Sequence, residues 1–207
     1  MLKGIKNILF DLGGVVIDID FTRTIQALAD ISGKTFEDVH EISLKDGYYD
    51  KYERGHLSNQ EFLDMVRKSL GFNAPDKDVI EAWNALLLAI PKERIDLVKK
   101  LSEKYRTIVL SNTSDYHVSG FNQILKDSTG HSALHEIYDT VFFSYELGCR
   151  KPESIIYEKV LEKAQIKAEE TLFLDDNYDN IQAAKKMGFK TVHVKDNDIL
   201  EIFADEI

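Results

Sequence analysis

The sequence predicts an α/β fold: a parallel β-sheet with helices on both faces, and an all-helical domain inserted after the first strand. Short apolar runs alternate with amphipathic stretches near the start of the chain and again from Pro91 onward. Between these parts, residues 18–90 carry apolar residues only at helical spacing. Strands that alternate with helices form parallel sheets with right-handed crossovers. A chain of 207 residues is long enough for one such domain with a modest insertion.

Short apolar runs mark the strands of the sheet. The first run, residues 5–10, ends in Asp11, and two glycines soon follow that let the backbone turn sharply. The later runs are residues 107–110, 140–144, 171–174 and 190–194. Amphipathic stretches predict core helices at residues 92–104, 153–165 and 178–187. Residues 1–17 and 91–207 therefore form a Rossmann-like core in this prediction.

The segment between the two parts of the core, residues 18–90, is predicted to be a helical cap domain. Its apolar residues recur at spacings of three and four, as in Val79, Trp83 and Leu86, and breaks such as the one at Gly55 divide it. We expect four or five helices and no strand here. Trp83 is expected in the core because it shares a helix face with its apolar neighbours.

Composition excludes several classes of protein. A formal net charge of −10 disfavours a nucleic-acid partner. The single cysteine, Cys149, rules out an internal disulfide framework and is typical of a reducing compartment. No segment has the roughly 18 apolar residues of a membrane span, and residues 1–4 do not resemble a signal peptide. We therefore expect a cytoplasmic protein with no membrane contact and no obligate protein partner.

Polar side chains follow three of the predicted strands. Asp11 ends the first strand, Ser111 follows the second, and Asp175 and Asp176 follow the fourth. Because the carboxyl ends of parallel strands meet at one edge of a sheet, these side chains can converge on one cleft. Each residue alone has a simpler explanation, since polar residues after strands commonly form turns or helix N-caps.

The three aspartates predict a metal site. Adjacent carboxylates at a buried strand end repel each other, and Mg²⁺ is a cation that such oxygen ligands hold together with substrate phosphate. The alternative is that Asp175 and Asp176 only cap the following helix. Asp179 could join the site or hydrogen-bond nearby backbone, and we favour the second role.

Lys151 stands between a strand and a helix, and Pro152 fixes the start of that helix. A lysine at this position can point into the cleft and hold a phosphate as a compact charge. The alternative for Lys151 is a solvated position on the surface. For its neighbour Arg150, a place in the cleft and a place on the surface are equally compatible with the sequence.

Four segments at suitable spacing resemble the motifs of the haloacid dehalogenase-like hydrolase superfamily. They are Phe-Asp-Leu-Gly-Gly-Val-Val at 10–16, Leu-Ser-Asn-Thr at 110–113, Arg-Lys-Pro at 150–152 and Phe-Leu-Asp-Asp-Asn at 173–177. The chain is most similar to the branch with a helical cap after the first strand, and within it to sugar-phosphate phosphatases. The resemblance covers nearly the whole chain and implies Mg²⁺-dependent hydrolysis of a small phosphorylated metabolite.

The resemblance also implies the roles of the acidic residues. Asp11 would be the nucleophile and form an aspartyl-phosphate that water hydrolyses. Asp11, the carbonyl of Gly13 and Asp176 would bind Mg²⁺, with Asp175 as a further ligand or as a partner that holds the ligands.

Other residues would bind the phosphoryl group. Ser111 and Asn112 would hydrogen-bond its oxygens, and Lys151 would neutralise the charge on the nucleophile and the phosphate. Arg54 or His56 in the cap could contact the substrate, although both could equally be solvated residues at a helix end.

Gly13 departs from the pattern of many phosphatases in this family, which carry an aspartate there as general acid and base. A glycine cannot protonate the leaving alkoxide, and such help is typically worth ~10²–10⁴ in rate. We therefore expect a preference for esters of acidic alcohols, such as sugar 1-phosphates. Asp18 or Asp20 could supply the proton, or cap the helix that begins near Thr22.

Other activities stay open at this point. A 2-haloacid dehalogenase also uses an aspartate nucleophile without the second aspartate, but it needs no metal, so Asp175 and Asp176 argue against it. A phosphomutase would need acid–base help at Gly13. A catalytically inactive binding protein of the same fold is a third alternative, and retention of Asp11 and Lys151 argues against it.

Overall fold

A computed structural model describes residues 2–195 and 199–206. Its strands are β1 (Asn7–Phe10), β2 (Asp18–Ile19), β3 (Leu87–Ala89), β4 (Arg106–Ser111), β5 (Thr140–Phe143), β6 (Thr171–Asp175) and β7 (Lys190–His193). Five of them form a parallel sheet in the order β5-β4-β1-β6-β7. All five sheet strands predicted from the sequence are confirmed.

The first strand lies at the centre of this sheet. Leu9 of β1 pairs with Ile108 of β4 on one side and with Phe173 of β6 on the other. All four residues of β1 are buried. The residue after β1, Asp11, therefore emerges at the middle of the carboxyl edge, flanked by the ends of β4 and β6.

Helices surround the sheet and build the insertion. They are α1 (Phe21–Ser32), α2 (Phe36–Asp46), α3 (Tyr48–Glu53), α4 (Asn59–Leu70), α5 (Asp76–Asn84), α6 (Lys92–Ser102), α7 (Asp115–Thr129), α8 (Ser144–Leu147), α9 (Ser154–Ala164), α10 (Tyr178–Lys186) and α11 (Ile199–Ile202). Short 3₁₀ turns occur at Leu134–Glu136, Ala168–Glu170 and Ala204–Glu206. None of the helices in the described ranges is both long and apolar enough to cross a bilayer.

Both faces of the sheet are covered, as the sequence predicts. Side chains alternate along a strand, so Phe10 belongs to one apolar cluster and Leu9 to another. The first cluster includes Val98 from α6 and Phe121 from α7. The second includes Val160 from α9. Burial on both faces fixes the sheet register and hence the positions of the strand ends.

Helices α1–α5 enclose a third apolar cluster of their own. Trp83 is 1% exposed at its centre, which confirms its predicted core position. Phe62 packs against it with ring centroids 4.6 Å apart. The expectation that residues 18–90 hold no strand is corrected by the antiparallel ribbon of β2 and β3. These strands have two and three residues, too few to show a period of two.

Helix α7 was not predicted from the sequence. Its 15 residues include polar and small side chains on the apolar face, among them His117 and Gly120. A Cβ at Gly120 would lie 2.8 Å from Leu87 Cδ1 and 3.0 Å from Asn84 Nδ2. The helix therefore approaches the insertion closely through a small residue, and this weakens the apolar pattern in the sequence.

Candidate active site

The strand ends converge on a cleft of about 240 Å³ between the sheet edge and helices α1 and α3 of the insertion, whose helices α1–α5 are called the cap below. Asp11, Ser111, Lys151 and Asp176 all line it. The main chain carries Asp11 directly from β1, because its N–H donates to Leu174 O of β6 at 2.9 Å. The structure thus brings together side chains that the sequence places at three separate strand ends and one loop.

Lys151 lies between two carboxylates and is not a surface residue. Its Nζ is 2.8 Å from Asp11 Oδ1 and 2.7 Å from Asp175 Oδ2, and its side chain is 1% exposed. Burial alone would lower the pKa of this amine, but the two carboxylates outweigh burial and raise it. Lys151 is therefore charged and holds the nucleophile candidate in place.

Three carboxylates surround this single ammonium group. Oxygens of Asp11, Asp175 and Asp176 lie within 4.8 Å of one another. Burial raises the pKa of Asp11 to about 7, although Lys151 opposes the shift. Burial, followed by repulsion from Asp175, also raises the pKa of Asp176. The donor set of clustered carboxylates with one balancing cation fits a hard divalent ion such as Mg²⁺.

Gly14 makes room for this cluster. A Cβ at this position would overlap Asp176 Oδ2, and the backbone has φ +72°. Both observations require glycine, since other L-residues rarely adopt this conformation. Gly14 therefore makes room for the carboxylate site as well as forming part of the turn.

Hydrogen bonds from two asparagines fix the carboxylate of Asp175. Asn180 Nδ2 donates to its two oxygens at 3.0 and 3.1 Å, and the N–H of Asn177 donates at 2.8 Å. Asn177 also caps α10 by accepting from the N–H of Asp179 at 2.9 Å. The helix cap is therefore Asn177 and not Asp175 or Asp176. Asp179 lies outside the group of three carboxylates found among the described residues.

The side chain of Asn112 joins two loops. Its Nδ2 donates to Lys151 O at 2.9 Å, and its Oδ1 accepts from Lys151 N at 2.8 Å. These two bonds fix the loop that carries Lys151 to the end of β4. Among residues 2–195 and 199–206, Ser111 Oγ makes a single long contact of 3.5 Å with Asn112 O, which leaves the hydroxyl able to turn toward the cleft.

Arg54 reaches the site from the cap, but carboxylates already balance its charge. Its Nε is 2.7 Å from Asp50 Oδ2, and its Nη2 is 2.5 Å from Glu153 Oε1 of the core. It lines a side cavity of about 290 Å³ that also includes Lys151. Its contact with substrate remains a prediction.

Two residues have a larger place in the site than the sequence indicated. Arg150 of the core is paired with Asp50 at 3.1 Å and with Glu53 at 3.0 Å, both on cap helix α3. Glu53 is 1% exposed and lines the cleft with Asp11. In the sequence, Arg150 is notable only as the neighbour of Lys151, and Glu53 only as the neighbour of Arg54. Their pairing could not be read from the sequence because the two residues lie about a hundred positions apart.

The two aspartates considered as proton donors are engaged elsewhere. Asp20 caps α1 by accepting from the N–H of Thr22 at 2.9 Å. Asp18 Oδ1 accepts from Arg94 Nη1 at 2.7 Å. Neither lines the cleft, whereas Gly13 does.

Residues 5–188 match the family model for haloacid dehalogenase-like hydrolases. The chain belongs to this family. Its fold and its four motifs agree with that assignment, and the resemblance drawn from the sequence is confirmed. The chain is thus a hydrolase of this family.

Relatives with known activities are phosphatases in several cases. The chain is 29% identical over 187 residues to D-ribitol-5-phosphate phosphatase of Bacteroides thetaiotaomicron, with 90% of each chain covered. It is 32% identical over 217 residues to glyceraldehyde 3-phosphate phosphatase of Methanocaldococcus jannaschii, covering 98% of this chain and 90% of the relative.

A solved structure of a haloacid dehalogenase family enzyme from Bacteroides thetaiotaomicron is also similar. It superposes with a TM-score of 0.86 and 35% identity, covering 96% of this chain and 99% of the other. That crystal structure is a complex with magnesium and inorganic phosphate.

Proposed function

We propose that the protein is a Mg²⁺-dependent phosphatase that hydrolyses a small sugar or polyol phosphate through an aspartyl-phosphate on Asp11. The observation that carries the proposal is the cluster in which Lys151 lies 2.8 Å from Asp11 and 2.7 Å from Asp175 beside Asp176. The phosphatase activities of the relatives, and the magnesium and phosphate in the similar structure, support it.

In this proposal Asp11 attacks phosphorus and releases the alcohol, and water then hydrolyses the aspartyl-phosphate. Lys151 holds the attacking carboxylate in one orientation and offsets charge on the phosphoryl group. Ser111 donates a hydrogen bond to a phosphoryl oxygen. Asn112 contributes by fixing the lysine loop, since its side-chain amide is bonded to that loop.

Asp11, the carbonyl of Gly13 and Asp176 would hold Mg²⁺, with Asp175 beside them. When bound, this ion supplies charge stabilisation for the transferring phosphoryl group. Phosphoryl transfer depends mainly on positioning and charge stabilisation, which a buried and prearranged cluster can provide.

Cap helices α1 and α3 contribute Phe21, Tyr49 and Glu53 to the lining of the cleft. In the proposal Arg54 contacts the organic part of the substrate from the side cavity. A single cysteine and ordinary composition are compatible with action in the cytoplasm, which we include in the proposal.

The substrate class follows from two lines of reasoning. The relatives' names point to alkyl esters such as ribitol 5-phosphate and glyceraldehyde 3-phosphate. Gly13 points to esters whose alcohols need little protonation, such as sugar 1-phosphates. A panel that contains both classes separates them: faster turnover of 1-phosphates than of 5- and 6-phosphates would support the second argument.

The test is release of inorganic phosphate from this panel with Mg²⁺ and with EDTA. We expect Mg²⁺-dependent release that falls by at least ~10³-fold in Asp11→Asn. The matched control is Asp20→Asn, which changes a carboxylate outside the cleft to an equally good N-cap and should leave activity unchanged.

Phosphate release that persists in Asp11→Asn would contradict the proposed nucleophile. If wild-type protein releases no phosphate from any ester, the phosphatase proposal is wrong. Halide release from a 2-haloacid without Mg²⁺ would then identify a dehalogenase, and its absence as well would favour a binding protein.

A further inference from the structure

The proposed reaction needs a proton donor that neither Gly13 nor its neighbours provide. An alkoxide leaving group of a 5- or 6-phosphate is strongly basic and gains from protonation in the transition state. Asp20 caps helix α1 and Asp18 is paired with Arg94. A donor must therefore come from another element that faces the cleft.

The ionisable residues among the described cleft lining are few. They are Asp11, Tyr49, Glu53, Arg150, Lys151 and Asp176. The proposed function assigns two of these carboxylates to phosphorus and the metal. The arginine and lysine stay charged, and burial raises the pKa of Tyr49 well above its usual value. Glu53 is therefore the remaining candidate for the proton donor.

The fold holds the end of helix α3 firmly over the core. Glu53 O accepts a hydrogen bond from Ser144 Oγ at 2.6 Å, and Ser144 Oγ accepts from Thr113 N at 2.9 Å. Gly55 touches the core backbone so closely that a Cβ there would overlap Tyr145 O. The side chain of Glu53 is thus presented to the cleft from a fixed backbone.

The surroundings of Glu53 combine burial with opposing charges. Oε2 lies 3.0 Å from Arg150 Nη2, yet it accepts no hydrogen bond from the part of the chain that the structure describes. Tyr49 and Lys151 favour the ionised carboxylate and lower its pKa, whereas Asp50 disfavours it and raises the pKa. Burial is the largest of these influences, and the pKa of Glu53 is raised above its ordinary value.

We propose that Glu53 of the cap is the general acid and base of the phosphatase, in place of the aspartate absent at Gly13. The proposal rests on the proposed function. As Asp11 Oδ attacks phosphorus, the bond from phosphorus to the ester oxygen breaks and that oxygen takes the proton of Glu53, giving the free alcohol. The Glu53 carboxylate then takes a proton from water as the water oxygen attacks phosphorus. The bond to Asp11 breaks, inorganic phosphate leaves and Glu53 is protonated again.

The test compares leaving groups in Glu53→Gln. Ribitol 5-phosphate needs protonation of its leaving oxygen, whereas p-nitrophenyl phosphate releases an acidic phenol that does not. We expect kcat/KM for ribitol 5-phosphate to fall by ~10²–10⁴, and for p-nitrophenyl phosphate by less than about threefold. In wild type, kcat/KM for ribitol 5-phosphate should decline at high pH as Glu53 loses its proton, and the decline in kcat/KM should be absent with p-nitrophenyl phosphate.

Glu41→Gln on cap helix α2 is the matched control. It makes the same carboxylate-to-amide change at an exposed position that lines neither the cleft of Asp11 nor the side cavity of Arg54. This variant should show no difference between the two substrates.

An equal loss of kcat/KM on both substrates in Glu53→Gln would overturn the proposal, since it would mean that Glu53 only holds Arg150 or the cap. If Glu53→Gln does not fold, identical pH profiles of kcat/KM for the two substrates in wild type would overturn it. A wild type without phosphatase activity would contradict the proposed function itself, and this result is distinct from the other two.

Discussion

Lys151→Met tests the electrostatic core of the site. The substitution keeps a long unbranched side chain but removes the ammonium group that lies between Asp11 and Asp175. The two buried carboxylates then face each other and Asp176 without a cation. We expect a large loss of folding stability together with loss of phosphatase activity.

The magnitude follows from the geometry. Both ion pairs are under 3 Å, and the lysine side chain is 1% exposed, so solvent screens them little. Removing one partner of a buried pair typically costs about 3–5 kcal/mol, because the remaining charge stays buried. With a urea m-value of roughly 3 kcal/mol/M, the unfolding midpoint should fall by about 1–2 M.

Urea unfolding followed by circular dichroism, with and without Mg²⁺, measures this loss. The matched control is Lys92→Met, since Lys92 forms a pair of 2.5 Å with Asp96 but its side chain is 62% exposed. Exposed pairs contribute little, so the control should leave the midpoint unchanged. Mg²⁺ should stabilise Lys151→Met more than wild type, because only the variant lacks a protein cation there.

A loss below about 1 kcal/mol in Lys151→Met, or a loss equal to that of the control, would refute this reasoning. It would mean that the carboxylates take up protons or relax at little cost. The cluster would then not be a site prearranged for a cation.

Two further predictions concern residues around the site. Gly14→Ala should weaken activation by Mg²⁺ by at least about tenfold and destabilise by ~1–2 kcal/mol, because its Cβ displaces Asp176 and its φ is +72°. A Mg²⁺ titration of activity checks this. The control is Gly33→Ala, where φ is +68° but the added Cβ meets no atom within 4 Å, and it should lose stability without weakening activation by Mg²⁺. Burial lowers the pKa of His117 to about 4 from 6.5, so only the unfolded chain takes up its proton between these pH values. Unfolding free energy should fall by about 3 kcal/mol more in wild type than in His117→Gln as pH drops from 7 to 4, and equal pH slopes in urea titrations would contradict this.

The sheet could be predicted from the sequence because each strand is a short apolar run between turn residues. The register of a parallel sheet then brings the ends of β1, β4 and β6 to one edge. Asp11, Ser111 and Asp175 follow from that reasoning without knowledge of any side-chain contact. Lys151 could also be anticipated, since Pro152 fixes how its loop enters the next helix.

The contacts between cap and core could not be predicted in this way. They depend on how helix α3 docks on the core, and nothing in local periodicity reports this. Arg150 pairs with residues about a hundred positions earlier in the chain. The side chain of Asn112 lines the cleft but is also hydrogen-bonded to the loop that carries Lys151. Helix α7 was missed because a buried histidine and a close-packed glycine weaken its apolar pattern.

The charges in and behind the cleft connect the two proposals. Among the described residues these are four carboxylates, Asp11, Asp175, Asp176 and Glu53, and two cations, Arg150 and Lys151. A phosphate monoester adds about two negative charges near pH 7, so its binding to this set alone is opposed by repulsion. A divalent cation at the three aspartates removes most of that repulsion. The approach of the dianion also favours the protonated form of Glu53, since a like charge disfavours its ionised form. Substrate binding would therefore favour protonation of Glu53 before the ester bond breaks, which is the step in which the leaving oxygen requires a proton.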